Sequence, residues 1–72
     1  MSLRTIRALV AGSTQSGVII EKLDLIASHP NNLEENQTLA TAILELVQND
    51  SSLSNSYKSM LESELAKLIA LS

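Results

Sequence analysis

Cysteine is absent from this 72-residue chain, and so are phenylalanine and tryptophan. The lack of cysteine excludes disulfide bonds and thiolate metal sites. The single histidine, His29, cannot form a zinc site unless several carboxylates surround it. A domain of this length buries a modest fraction of its unfolded surface, so small domains usually need a further source of stability. Association with another chain is the source that this composition leaves open.

Aromatic side chains are almost missing, since Tyr57 is the only one. The apolar residues are thirteen Leu, six Ile, three Val and two Met. A Leu-rich set with few β-branched and aromatic members favours helices packed on helices over a sheet. Any interface must then be an aliphatic surface, with Tyr57 as its one large amphipathic anchor.

Acidic residues are missing before Glu21, and basic residues are missing between Lys22 and Lys58. The net charge is −3, with Arg4 and Arg7 as the only charges in residues 1–20. An acidic body repels phosphate backbones, which counts against nucleic-acid binding in general. A small DNA-associated regulator that uses the weakly basic N-terminal segment is kept as the alternative function.

Long apolar runs are missing too, because no stretch approaches the ~20 apolar residues that span a bilayer. The first residues, which carry arginine, serine and threonine but no acid, also resemble organellar targeting peptides in composition. An ordinary N-terminal helix is the preferred interpretation of that segment. We therefore expect a cytoplasmic protein with no membrane segment.

A clear break lies at Pro30, which prevents a preceding helix from continuing smoothly. Asn32 is a good N-cap for the next helix, with Glu34 and Glu35 in the first turn, where the helix dipole favours negative charge. Apolar residues recur at helical spacing after this start. The pattern predicts a helix that runs to about Gln48.

A second break lies at residues 49–52. Asp50, Ser51 or Ser52 can cap a final helix, and the sequence does not choose among them. From Leu53 to Leu71 apolar residues follow intervals of three and four, which predicts a long amphipathic helix.

Residues 3–28 are ambiguous because a run of small and polar residues, 11–17, separates two apolar segments. One interpretation gives two helices, with Ser16 capping the second. Another gives a single helix, because the apolar spacing stays in phase across the run. A third gives a β-hairpin over residues 5–20, since three β-branched residues follow Gly17. Helix is favoured over hairpin, and two helices slightly over one.

No constellation of residues predicts catalysis. The only conventional base is His29, in what looks like an exposed turn before Pro30, and its pairing with one of the eleven serines would be a coincidence. Adjacent Glu34 and Glu35 diverge on a helix and do not converge on one atom. The segment between Gly12 and Gly17 lacks the lysine of a phosphate-binding loop. We predict no enzyme, no catalytic, cofactor or metal residue, and no cofactor.

The sequence therefore predicts an all-α fold, a small helical bundle of three or four helices, in a single domain spanning residues 1–72. We expect a non-enzymatic interaction or regulatory module that self-associates, with a homodimer favoured, or docks a protein partner through aliphatic helix faces. The expected mechanism is the removal of aliphatic surface from water. The predicted interface residues form one patch near the end of the chain and a second before residue 28: Leu53, Tyr57, Met60, Leu61, Leu65, Leu68, and Ile19, Ile20, Leu23.

Overall fold

Four helices account for most of the chain in a computed structural model that describes residues 3–70. They are α1 (Leu3–Val10), α2 (Ser16–Ser28), α3 (Leu33–Gln48) and α4 (Asn55–Ala70). No strand occurs within the described range. The prediction of a small all-α bundle is confirmed.

Residues 3–28 form two helices, which decides among the three interpretations of this segment. After Val10 the chain enters tight turns, in which the Ser13 amide donates to the Val10 carbonyl (2.9 Å) and the Ser16 amide donates to the Ser13 carbonyl (3.2 Å). Ser16 is the first helical residue and not the cap, because Gln15 occupies the cap position without a side-chain bond. Neither Gly12 nor Gly17 has a positive φ, and a Cβ on either would meet open space. The break therefore does not depend on glycine.

The start of α3 matches the sequence pattern. Asn32 accepts the Glu35 amide through its side-chain oxygen (3.3 Å) and donates to the Glu35 carboxylate (2.7 Å). The first bond satisfies a free amide at the helix start and makes Asn32 the N-cap. The second joins the two side chains, whereas in a capping box the glutamate would accept the Asn32 backbone amide, which here donates to the His29 carbonyl (3.1 Å). The helix ends at Gln48, as predicted.

The start of α4 differs from the prediction. Ser54 is the capping residue, since its hydroxyl accepts the Tyr57 amide (3.2 Å) and its carbonyl accepts the Lys58 amide (2.9 Å). Asp50 and Ser52 are occupied elsewhere, because they bond to each other and to the connection between α1 and α2. The predicted caps, Asp50, Ser51 and Ser52, were thus a few residues too early.

The helices form a ring in which each contacts the next and α4 returns to α1. Among the described residues, the backbones of the two diagonal pairs of helices stay farther apart, with no Cα atoms within 8 Å of each other. The three connections, residues 11–15, 29–32 and 49–54, are short. Short connections between sequential neighbours make an up-and-down four-helix bundle. The α1–α2 and α3–α4 connections lie at one end of it, and the α2–α3 connection lies at the other.

Every helix contributes at least two side chains to one aliphatic core, which also includes a residue from the last connection. Among residues 3–70 the buried core residues are eleven: Ile6, Val10, Ile19, Leu23, Ile26, Ala40, Ile43, Val47, Leu53, Leu61 and Leu65. The accessible surface is 4342 Å², close to the ~4,400 Å² of an ordinary folded monomer of this mass. A single chain therefore completes its own core.

Leu61 and Met60 offer a matched test of this core, because they are adjacent on α4 but 0% and 46% exposed. We expect Leu61→Ala to lower the free energy of unfolding by about 2–5 kcal/mol, since it leaves a cavity among packed aliphatic groups. Met60→Ala should change the free energy of unfolding of the isolated chain by about 0.5 kcal/mol or less. Urea denaturation at low protein concentration measures both, and equal losses would contradict the described orientation of α4.

Candidate interaction surfaces

The nine predicted interface residues fall into three groups by burial. Five lie inside the core of the single chain: Ile19, Leu23, Leu53, Leu61 and Leu65. Ile20 and Leu68 are partly buried and pack against that core. Tyr57 and Met60 are each 46% exposed. Of the predicted residues, Tyr57 and Met60 are the most accessible to a partner. That the nine residues form an interface stays a prediction.

Tyr57 and Met60 form what we call the α4 surface. They are three residues apart and so lie side by side on the helix. The Lys58 ammonium approaches the Gln48 carbonyl (3.5 Å) and the Gln37 amide donates to the Ile69 carbonyl (3.1 Å), so that flank of α4 faces α3. By helix geometry Tyr57 and Met60 lie on the other flank, toward α1. On the same helix the Lys67 ammonium approaches the Glu64 carboxylate (3.4 Å).

A second apolar surface lies between α2 and α3. An open groove of about 410 Å³ has Val18 and Lys22 on one wall and residues of α3 on the other. We call it the α2–α3 groove, and its α3 wall consists of Ala42, Glu45, Leu46 and Asn49. Val18 is 45% exposed, and Leu25, two turns later on the same side of α2, is 41% exposed. Lys22 is partly buried between them.

Val18 and Leu25 were not among the predicted interface residues, although the sequence carries a signal for them. Six of the nine residues from Val18 to Ile26 are aliphatic. A helix with apolar residues on more than its core-facing side must leave some of them at the surface. The sequence does not show which ones, because Val18 and Ile19 are equally apolar neighbours and only the packing of α2 distinguishes them.

The weakly basic N-terminal segment is partly neutralised. The Arg7 guanidinium pairs with the Asp24 carboxylate across α1 and α2, with both side chains exposed. Arg4 is exposed as well. Because a phosphate would have to compete with Asp24 for Arg7, this pair does not favour the DNA-binding alternative.

A buried polar cluster joins the two connections at one end of the bundle. The Ser13 hydroxyl donates to the Asp50 carboxylate, which also accepts the Ser52 amide (2.8 Å) and the Ser52 hydroxyl. In return, the Ser52 hydroxyl accepts the Thr14 amide (3.2 Å), and the Ser13 hydroxyl accepts the Gln15 amide (2.9 Å). Asp50 is 5% exposed and Ser13 is 6% exposed. We call Ser13, Asp50 and Ser52 the Asp50 cluster.

Hydrogen bonding determines the charge state of the Asp50 cluster. The bond from Ser13 lowers the pKa of Asp50 below its ordinary 3.8, the two bonds from Ser52 add to this, and burial opposes it. Lys58 contributes a smaller attraction. A carboxylate that accepts several donors favours its charged form. The cluster is an ionised structural link between connections.

Nucleophilic catalysis by Ser13 would need a base in reach. His29 lies in the α2–α3 connection, and the 13 residues of α2 separate it from the Asp50 cluster, a length of about 20 Å. Within residues 3–70, no group of three or more His, Asp or Glu side chains could hold a metal ion. In that same range no helix is long and apolar enough to cross a membrane.

Comparison with known proteins gives no match to a family model, to a curated protein or to a solved structure.

The Asp50 cluster predicts a specific acid sensitivity. Because the folded pKa is lowered, ionised Asp50 stabilises the fold fully above the unfolded value of 3.8, and this contribution is lost as the pH falls through the folded value. We expect Asp50→Asn to be less stable than the wild type at pH 7, with a difference that shrinks as the pH falls below about 4. Urea midpoints measured from neutral to acid pH test this.

Asp24→Asn is the matched control, since Asp24 is an exposed partner in an ion pair. Exposed pairs contribute little, so the difference between this variant and the wild type should stay small at every pH. A pH-independent difference for Asp50→Asn would contradict the assignment of an ionised link.

Proposed function

We propose that this chain is a non-enzymatic, cytoplasmic helical interaction module. It self-associates, with a homodimer as the favoured assembly, or docks a protein partner through aliphatic helix surfaces. The driving force is the removal of exposed aliphatic groups from water, at about 25 cal/mol for each Å² of apolar surface.

The observation that carries this proposal is the grouping of exposed apolar side chains on a bundle whose core is already complete. Single exposed apolar residues are normal on protein surfaces, whereas grouped ones indicate interaction sites. Here they occur as pairs: Val18 with Leu25 on α2, and Tyr57 with Met60 on α4, each 41–46% exposed. Leu33, at the start of α3, is 50% exposed.

Two features favour an interaction module over the other functions considered. The polar groups of the Asp50 cluster bond to one another, which gives the cluster a structural role. Arg7, half of the basic charge in the N-terminal segment, is engaged by Asp24. The two apolar pairs, in contrast, are exposed and lie outside the core of the single chain.

Sedimentation equilibrium tests the self-association. A modest aliphatic interface is typical of weak complexes, so the average mass should rise from 7.8 kDa toward twice that value between about 10 µM and about 1 mM. A variant with Val18→Gln, Leu25→Gln, Tyr57→Gln and Met60→Gln should remain folded and monomeric over the same range, because these side chains lie outside the core.

The matched control is Ala27→Gln with Ala66→Gln, which adds the same side chain at exposed positions of α2 and α4. This control should associate like the wild type. A wild-type mass of 7.8 kDa at every concentration would remove self-association from the proposal. The other part of the proposal, docking of a protein partner, then requires a host protein that binds to the immobilised wild type and does not bind to the fourfold glutamine variant. Retention of no such protein would reject the proposal as a whole.

A further inference from the structure

We infer that the α2–α3 groove is the self-association surface and that a second copy of this chain occupies it. The two copies are related by a two-fold axis that runs along the groove, and Lys22 of each copy pairs with Glu45 of the other. This inference rests on the proposed function, because it names the surface and the occupant for the self-association proposed above.

The two charges of the groove lie on opposite walls. Lys22 belongs to the α2 wall and Glu45 to the α3 wall. Within the described part of the chain, neither the Lys22 ammonium nor the Glu45 carboxylate has a hydrogen-bond or ion-pair partner. The groove therefore presents one unpaired charge of each sign beside its apolar residues.

This arrangement is complementary to itself. In a two-fold interface, a contact from one position to a second position is repeated in the reverse sense. An axis along the groove places α2 of each copy over α3 of the other. Lys22 of one copy then lies over Glu45 of the second copy, because both residues line the same stretch of the groove. Two identical ion pairs result, and Val18 and Leu46, which line the same groove, lie beside them.

The size of the surface agrees with a weak dimer. The bundle measures 32 × 21 × 19 Å, so one long side covers roughly 600 Å². This area is at the lower end of the share that each partner contributes to an interface of standard size, about 600–1,000 Å². Because the whole side sets the upper bound of the contact area, a dimer through this surface is weak and not obligate.

The α4 surface lacks this complementarity. Glu64 and Lys67, the charged residues near it on α4, already form an ion pair within the chain. Because these two charges neutralise each other, neither is left to pair with a second copy. A dimer through Tyr57 and Met60 would depend on apolar contact alone, which does not select a register.

Charge exchange tests the inference. Lys22→Glu alone gives two Glu–Glu contacts in the dimer, and Glu45→Lys alone gives two Lys–Lys contacts, so each should weaken self-association about tenfold or more. A mixture of the two variants should form a heterodimer about as tight as the wild-type dimer, because every contact is again Glu–Lys. The chain carrying both substitutions should also recover. Sedimentation equilibrium of each variant and of the mixture measures this.

The mixture separates the inference from an ion pair within one chain. If Lys22 paired with Glu45 of its own chain, the doubly substituted chain would recover and the mixture would not. Lys67→Glu is the matched control, since it makes the same charge change on α4 and should leave association near the wild-type level. Circular dichroism verifies that each variant is folded. If Lys22→Glu does not fold, the chain with Lys22→Gln and Glu45→Gln replaces it, and its association should lose the salt dependence of the wild type.

The outcomes distinguish the inference from the proposed function. Recovery in the mixture supports both. If the wild type associates and the mixture does not recover, the inference is overturned while self-association stands. The α4 surface then becomes the site if Tyr57→Gln with Met60→Gln abolishes association. A wild type that stays monomeric overturns the inference and the self-association together.

Discussion

Contact among aliphatic side chains around the bundle axis holds the four helices in position, and in the described part of the chain no aromatic ring belongs to this core. The constraint is clearest for α1, which has eight residues. Isolated helices shorter than about 12–15 residues are marginal in water. Because Ile6 and Val10 are fully buried, α1 depends on its contacts with α2 and α4. The surface grooves lie between helices, so their positions depend on the orientation that this core gives the helices.

Polar groups support the aliphatic core at both ends of the bundle. At one end, the Asp50 cluster joins two connections through the bond between Ser13 and Asp50, which are 37 residues apart in the sequence. At the other, Asn36 donates to the His29 carbonyl (3.0 Å) beside the cap that Asn32 provides. A core without aromatic rings gains little from shape-specific stacking. Directional bonds at the connections therefore help to select one arrangement of the helices.

Signals from residues close together in the sequence predicted much of the fold. The features that were missed depend on contacts between residues far apart in the sequence. Asn32 and Glu35 marked the start of α3 because N-capping depends on neighbours in sequence. Ser54 was missed as the cap of α4 because Asp50, Ser51 and Ser52 carry the same capping signal, and only the packing shows that Asp50 bonds instead to Ser13 of the α1–α2 connection. The predicted interface residues also combine a local signal with a non-local one. Apolar periodicity found Leu61 and Leu65, but whether such residues face the core or a partner depends on neighbouring helices, and these two are fully buried.

One chain completes its own core but leaves the apolar α2–α3 groove open to water. The most direct test follows backbone amide chemical shifts in two-dimensional NMR spectra while the wild-type protein is diluted from about 1 mM to about 10 µM, a range that spans weak association. We expect the concentration-dependent shifts to cluster around Val18, Lys22, Glu45 and Leu46, with core amides such as those of Ile43 and Leu61 nearly unchanged. Spectra that do not change on dilution, or changes confined to the neighbourhood of Tyr57 and Met60, would contradict self-association through the α2–α3 groove.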